Sequence, residues 1–173
     1  MRKTLLVIDM QNDFIDGSLG SAEAKSIVQN VINKIKEYPP ENVFATKDTH
    51  EVNYLSTSEG KHLPVEHCIR GSEGWDIKPE IRSLIPPENV YEKGTFGSVK
   101  LAEKVAEMAR KEEISVEMVG LCTDICVVSN ALLIKAYLPE IPISVDSSCC
   151  AGVAPDKHNA ALETMRSCQI NVE

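Results

Sequence analysis

The chain predicts a single-domain α/β fold with a six-stranded, mainly parallel sheet and helices on both faces. Two observations carry this. Short β-branched apolar runs bounded by Pro, Gly, Asn or Asp alternate with segments whose apolar residues recur every three to four positions. The 173 residues also show no break in composition, repeat or low-complexity tract that would divide them, so one core and one domain spanning 1–173 are expected.

The first apolar run, TLLVI (4–8), ends at Asp9, and the spacing of Ile27, Val31 and Ile35 then marks a helix. NVFAT (42–46) reads as the second strand, with Asp48 and His50 beyond it, and NVYE (89–92) as the third, with Lys93 beyond it. Each is entered through the same PPEN turn, at 39–42 and 86–89. Val105, Met108 and Ala109 mark a helix before SVEMVGL (115–121). Beyond that fourth strand, VVSNALLIKAY reads as a buried helix, with Thr123 or Asp124 as its N-cap. PISV (142–145), followed by Asp146, is the fifth strand; Ala160, Ala161 and Met165 mark the last helix, and QINV (169–172) the sixth strand. From Thr49 to about Trp75 the rhythm fails, and a connection of that length in a compact domain is usually functional or disordered.

Composition narrows the function. A formal net charge of −8, with 43% hydrophobic and 25% charged residues, describes an ordinary globular protein and disfavours nucleic acid and anionic membrane as partners. The apolar run after the basic start MRK is too short for a signal-peptide core or a membrane span, so a cytoplasmic chain is expected. Six cysteines without a sign of secretion read as thiols, mostly packing residues.

In open parallel sheets ligands bind beyond the carboxyl ends of the strands, where Asp9, Asp48, His50, Lys93, Cys126 and Asp146 collect. Cys126 sits at a strand-to-helix turn, as in a nucleophile elbow, where helix N–H groups stabilise a thiolate and await an oxyanion. On this stretch alone it is equally readable as a small buried helix residue. Its base could be His158 in a papain-like pairing with Asn159, although polar residues are expected there at the start of the last helix, or the carboxylate of Asp9 beside the ammonium of Lys93. Asp48 and His50, two apart on an extended segment, point the same way; such a pair is ligand spacing, and also ordinary rim polarity.

LLVIDMQNDFIDG, ATKDTH, LPVEHCIRGSEGW, YEKGTFGS and GLCTDICV together resemble the isochorismatase-like cysteine hydrolases over most of the chain. The resemblance implies a Rossmann-like sandwich with strand order 3-2-1-4-5-6 and a catalytic triad of Asp9, Lys93 and Cys126. It further implies a cis peptide just before Cys122 and an oxyanion hole from the N–H groups of Cys122 and Cys126. Cys122 departs from the small residue more usual there; a disulfide with Cys126 would be geometrically awkward, and a zinc clip lacks two further ligands nearby.

EHCIRGSEGW is similar to the metal-bearing loop of nicotinamidases, which implies one divalent ion (Zn, Mn or Fe) on Asp48, His50 and His67, with Glu59 as a fourth ligand. His62 is expected to be solvated and Cys68 buried. Phe14 and Trp75 match aromatic pocket walls, with Leu19 and Ile125 as apolar lining. The implied reaction is nicotinamide hydrolysis to nicotinate and ammonia through a thioester, serving NAD salvage, in a homo-oligomer whose partner is a small-molecule amide. Competing readings are a metal-free hydrolase of the same superfamily, acting on a carbamoyl or ureido compound or on isochorismate, and a non-catalytic thiol-redox or binding protein, suggested by Cys149 and Cys150.

Overall fold

The computed structural model describes residues 1–173. β1 (Arg2–Ile8), β2 (Val43–Asp48), β3 (Val90–Lys93), β4 (Ile114–Leu121), β5 (Ile143–Ala151) and β6 (Asn171–Val172) form one sheet in the order β3-β2-β1-β4-β5-β6, and every pairing is parallel. The expected strand order is therefore the observed one. β1 lies at the centre, flanked by β2 and β4, so the chain winds outward in both directions and leaves a crevice at the carboxyl ends of β1 and β4.

β1 shows why its sequence makes a central strand. Leu5, Leu6, Val7 and Ile8 are all 0% exposed, and the period of two sends Leu6 and Ile8 into one apolar layer and Leu5 and Val7 into the other. Full burial of each such side chain contributes about 1.5–3 kcal/mol. Short helices α1 (Asn12–Ile15), α3 (Ser58–His62) and α4 (Pro79–Arg82) lie outside the expected helices, too brief to show a period. α2 (Ala22–Ile35), capped by Ser21, closes the Leu5 layer through Ile27, Val31 and Ile35. α5 (Val99–Ala109), α6 (Val128–Tyr137) and α7 (Pro155–Ser167) close the other. In α7 the inward stripe is Ala161, Leu162 and Met165, while Ala160 faces out. No helix is long and apolar enough to cross a membrane.

The fifth strand is longer than its apolar run. Between the pairs Met118–Val145 and Gly120–Cys150, β5 advances five residues while β4 advances two, so the ladder bulges and resumes. Asp146 thus lies inside β5 instead of following it, paired to Lys34 of α2 at 2.9 Å. Cys149 and Cys150 are buried strand residues on opposite layers, and all six cysteines are free thiols. Gly120 has φ +122°, and a Cβ there would sit 2.1 Å from the Ile8 carbonyl oxygen, so only glycine lets β4 pass this close to the end of β1.

Candidate active site

Four strand ends deliver the polar groups. Asp9 follows β1 with φ +46°, a left-handed conformation that an aspartate tolerates and that turns the chain away from the strand direction. Its N–H donates to Thr46 Oγ1 at 3.2 Å, and Thr46 Oγ1 in turn donates to Asp9 Oδ1 at 2.6 Å. Lys93 ends β3; its Nζ lies 2.7 Å from Asp9 Oδ2, 3.2 Å from Asp48 Oδ1, 3.0 Å from the Thr95 carbonyl and 3.5 Å from Cys126 Sγ. The Asp9 contact is ionic in character, its angles falling outside those of a directed hydrogen bond. Asp9 is 0% exposed, Cys126 5% and Lys93 6%, so the folded chain brings the expected Asp, Lys and Cys together in a nearly dry space.

Burial decides how these groups hold their protons. It pushes the Cys126 thiol well above its ordinary pKa, the Asp9 charge adds to this, and Lys93 only partly offsets it. Burial and the Asp9 charge thus oppose the thiolate that a helix start would favour. Asp9 is also raised, by burial first, against the pull of Lys93. For Lys93 burial opposes the charge, but Asp9, Cys126 and Asp48 outweigh it and keep the ammonium. Burial thus disfavours a free thiolate in the site, while Lys93 holds its proton firmly.

Cys126 stands in a π-helical turn, Thr123–Val127, that leads into α6. Neither Thr123 nor Asp124 caps that helix. Thr123 Oγ1 is 2.8 Å from His158 Nδ1, and Asp124 Oδ1 accepts the Val153 N–H at 3.0 Å, so both tie the turn to the start of α7. His158 is therefore occupied by Thr123. The Leu121–Cys122 peptide is cis, and the Cys122 N–H has no acceptor within the chain. The Cys122 thiol, half-buried, is pushed up to about 12 by burial.

The second cluster adjoins the first through Asp48. While Asp48 Oδ1 faces Lys93, its Oδ2 lies 3.0 Å from His50 Nε2 and 3.7 Å from His67 Nε2. Glu59 Oε1 is 3.6 Å from each of those ring nitrogens. Ligands about 2.1 Å from one ion stand roughly 3.0–3.4 Å apart in octahedral or tetrahedral arrangement, so the four side chains fit a divalent cation after slight contraction. All four ligand atoms lie within 4.8 Å of one another. His67 Nδ1 is 2.8 Å from the Val65 carbonyl, an orientation that leaves Nε2 with its lone pair toward the cluster. Gly60 lets α3 seat here: a Cβ would meet the Tyr54 carbonyl oxygen at 2.1 Å.

The long connection is thus ordered by its anchors. Cys68 N–H donates to Asp13 Oδ2 at 2.7 Å, and His50 exchanges backbone hydrogen bonds with Cys68 and Arg70. Gln11, fully buried, receives the Asp48 N–H on Oε1 at 2.7 Å and donates from Nε2 to the Asp48 and Trp75 carbonyls at 2.8 Å each. Tyr54 packs its ring on both His50 and His67. Gln11, Asp13, Thr46 and Tyr54 escape sequence reasoning; the one available signal is a run of amides and acids, DMQND, directly after a strand.

A cavity of about 1050 Å³ opens over the second cluster and reaches the chain neighbours of the first. Phe14, Leu19 and Ile125 line it with Asp48, His50, Glu59, His67 and Cys122. His62, exposed, also lines its mouth. Cys126 and Lys93 lie just behind the wall formed by Gly94, Thr95, Cys122 and Ile125. Trp75 is a correction: it does not line the cavity. Lys47 Nζ lies 3.1 Å and Arg70 Cζ 5.7 Å from its ring centroid, and its indole N–H donates to Thr49 Oγ1 at 2.8 Å, so cation–π contacts and this bond hold the ring.

Comparison with known proteins places this geometry. The nicotinamidase/pyrazinamidase of Mycobacterium tuberculosis is 27% identical over 98% of this chain and 97% of that protein. The crystal structure of a nicotinamidase/pyrazinamidase from Bacillus subtilis superposes with a TM-score of 0.81 at 25% identity, covering 99% of each chain. That of a pyrazinamidase from Pyrococcus horikoshii in complex with zinc gives 0.78 at 24%, over 100% of this chain and 99% of that one, a likeness of fold. The family model described as the isochorismatase domain matches residues 3–173, which is nearly the whole chain, and the protein belongs to the isochorismatase family.

Proposed function

We propose that the protein is a metal-assisted cysteine amidohydrolase that converts nicotinamide and water to nicotinate and ammonia. One observation carries the reading: a single cavity is lined by a four-ligand cluster and by Gly94, Cys122 and Ile125, the chain neighbours of a buried thiol and ammonium that meet a buried carboxylate. The full-length likeness to a nicotinamidase/pyrazinamidase supports the substrate.

Asp9 takes the proton from Cys126 Sγ as the sulfur attacks the carboxamide carbon, so no free thiolate needs to persist in a site that disfavours it. The N–H groups of Cys122 and Cys126 receive the oxyanion. Lys93, fixed between Asp9 and Sγ, keeps positive charge beside the negative charge as it moves from carboxylate to sulfur. The C–N bond breaks as Asp9 returns its proton to the nitrogen, which leaves as ammonia and gives a thioester. Asp9 then deprotonates a water that attacks the thioester carbon; the C–S bond breaks and the proton returns to sulfur. A divalent ion on Asp48, His50, Glu59 and His67 would supply a Lewis-acid contact for the pyridine nitrogen and thereby orient the ring. Phe14, Leu19 and Ile125 enclose the ring's apolar edges and exclude water.

The test is ammonia release from nicotinamide by purified protein, with and without chelator, together with mass spectrometry of acid-quenched enzyme. The reading requires chelator-sensitive release and a nicotinoyl adduct on Cys126. Absence of release from fully metallated protein refutes the substrate, and an adduct on another cysteine refutes the nucleophile.

A further inference from the structure

Asn130 lies in α6, four residues beyond Cys126, is 0% exposed, and has no part in the reaction as described. Its side-chain amide joins two separate segments. Nδ2 donates to the carbonyl oxygen of Cys126 at 2.7 Å and to that of Phe96 at 3.2 Å, while Oδ1 accepts the N–H of Ser98 at 2.9 Å. Three of the amide's four hydrogen-bonding positions are thereby used, all on backbone. The Phe96 and Ser98 partners belong to the loop that leaves Lys93, and Lys93 Nζ itself donates to Thr95 in that loop.

We propose that Asn130 is a positioning residue that holds Lys93 against the sulfur of Cys126. The inference rests on the reading of Cys126 as the nucleophile. The loop needs such a clamp because its other side is open: Gly94, Thr95 and Phe96 face the cavity, and Phe96 is 43% exposed. Gly97 lets the loop lie close on α6, where a Cβ would meet Leu133 Cδ2 at 3.3 Å. Asp9 and Asp48 hold the Lys93 ammonium from one side, and the planar amide, fixing both the nucleophile's own carbonyl and the Thr95 loop, holds it from the other at 3.5 Å from Sγ. A hydroxyl at this position could bond the carbonyl four residues back and keep the helix, but it would be too short to grip the loop. Asparagine serves both ends.

The experiment compares wild type with Asn130→Thr, which retains the bond to Cys126, and Asn130→Leu, which removes all three bonds. kcat and KM for nicotinamide are measured on metal-loaded enzyme, thermal unfolding on the same samples, and iodoacetamide labelling of Cys126, located by peptide mass, at one fixed pH. A Lys93 ammonium released from the sulfur should cost the thiolate about tenfold in population, so kcat and the labelling rate of both variants should fall by about that factor. KM should change by a smaller factor than kcat, since the side chains proposed to enclose the substrate ring, Phe14, Leu19 and Ile125, are unaltered. Asn130→Thr should unfold near the wild-type temperature, which keeps the test alive if Asn130→Leu does not fold. A lower unfolding temperature with wild-type kcat and labelling in the folded protein would make Asn130 a packing residue and overturn the proposal, as would an effect confined to KM. If labelling of Cys126 leaves wild-type activity intact, it is the nucleophile assignment that falls, whereas the labelling rates still report on the clamp.

Discussion

Replacing Asp9, the proposed base, by asparagine keeps its shape, and the structure predicts opposite consequences for activity and stability. The carboxylate is 0% exposed and lies 2.7 Å from Lys93 Nζ. At an effective dielectric of about 20, that separation gives a gross attraction of about 6 kcal/mol. Even so, Asp9 is shifted upward, because the loss of hydration outweighs the attraction and the nearby Asp48 adds repulsion. A carboxylate with a raised folded-state pKa lowers stability once ionised, by about 1.4 kcal/mol for each tenfold change in proton affinity. Below the ordinary carboxylate range both folded and unfolded chains are protonated and the penalty vanishes. It grows as pH rises through the folded-state pKa and is complete above it. The neutral amide introduced by Asp9→Asn would resemble the protonated carboxyl, still able to meet Thr46, so the variant should be at least as stable as wild type at neutral pH, with an advantage that closes as pH falls. The chemical step should nevertheless drop by about 10²–10⁴-fold. Urea unfolding of chelated protein over a pH series, where no cation beside Asp48 adds its field, measures the first effect; single-turnover ammonia release from metal-loaded enzyme measures the second. An Asp9→Asn variant that keeps more than about a tenth of the wild-type rate, outside the range for a general base, or one markedly less stable at neutral pH, would refute the reasoning.

Cys126→Ala should abolish turnover, whereas Cys149→Ala and Cys168→Ala should leave kcat nearly unchanged; comparable losses at all three would show a general packing effect, checked by steady-state assay. Glu59→Gln should weaken metal binding by about tenfold or more through loss of a charged ligand while thiol labelling persists, as measured by metal titration against a fluorescent chelator. On the proposed reading, chelation should impair nicotinamide hydrolysis far more than alkylation of Cys126, because the four clustered side chains would orient substrate without touching the sulfur; equal losses would count against that division. Gly120→Ala should destabilise the fold by several kcal/mol, since the new methyl would overlap the Ile8 carbonyl at 2.1 Å and the φ of +122° is strained for alanine; a wild-type unfolding midpoint would contradict this.

The alternation of strands and helices was legible in the residues because hydrophobic period is a local property: TLLVI and the Ile27, Val31, Ile35 stripe each declare their element without reference to the rest of the chain. Motif resemblance similarly located Asp9, Lys93 and Cys126, and Asp48, His50, Glu59 and His67, which the fold gathers into two adjoining clusters. What escaped depends on partners far away in sequence. The apolar run of the fifth strand stops at Val145, and nothing near it announces that Lys34 will neutralise Asp146 inside the strand. Trp75 looked like a pocket wall until Lys47 and Arg70 came against its ring. Thr123 and Asp124 looked like caps until His158 and Val153 claimed them. Asn130 gave no sign at all, since an asparagine in an apolar helix acquires meaning only when a loop some thirty residues earlier lies against it. The upward shift of the Cys126 thiol belongs to the same group: helix position is written in the sequence, but desolvation, the first cause of that shift, is a property of the assembled core.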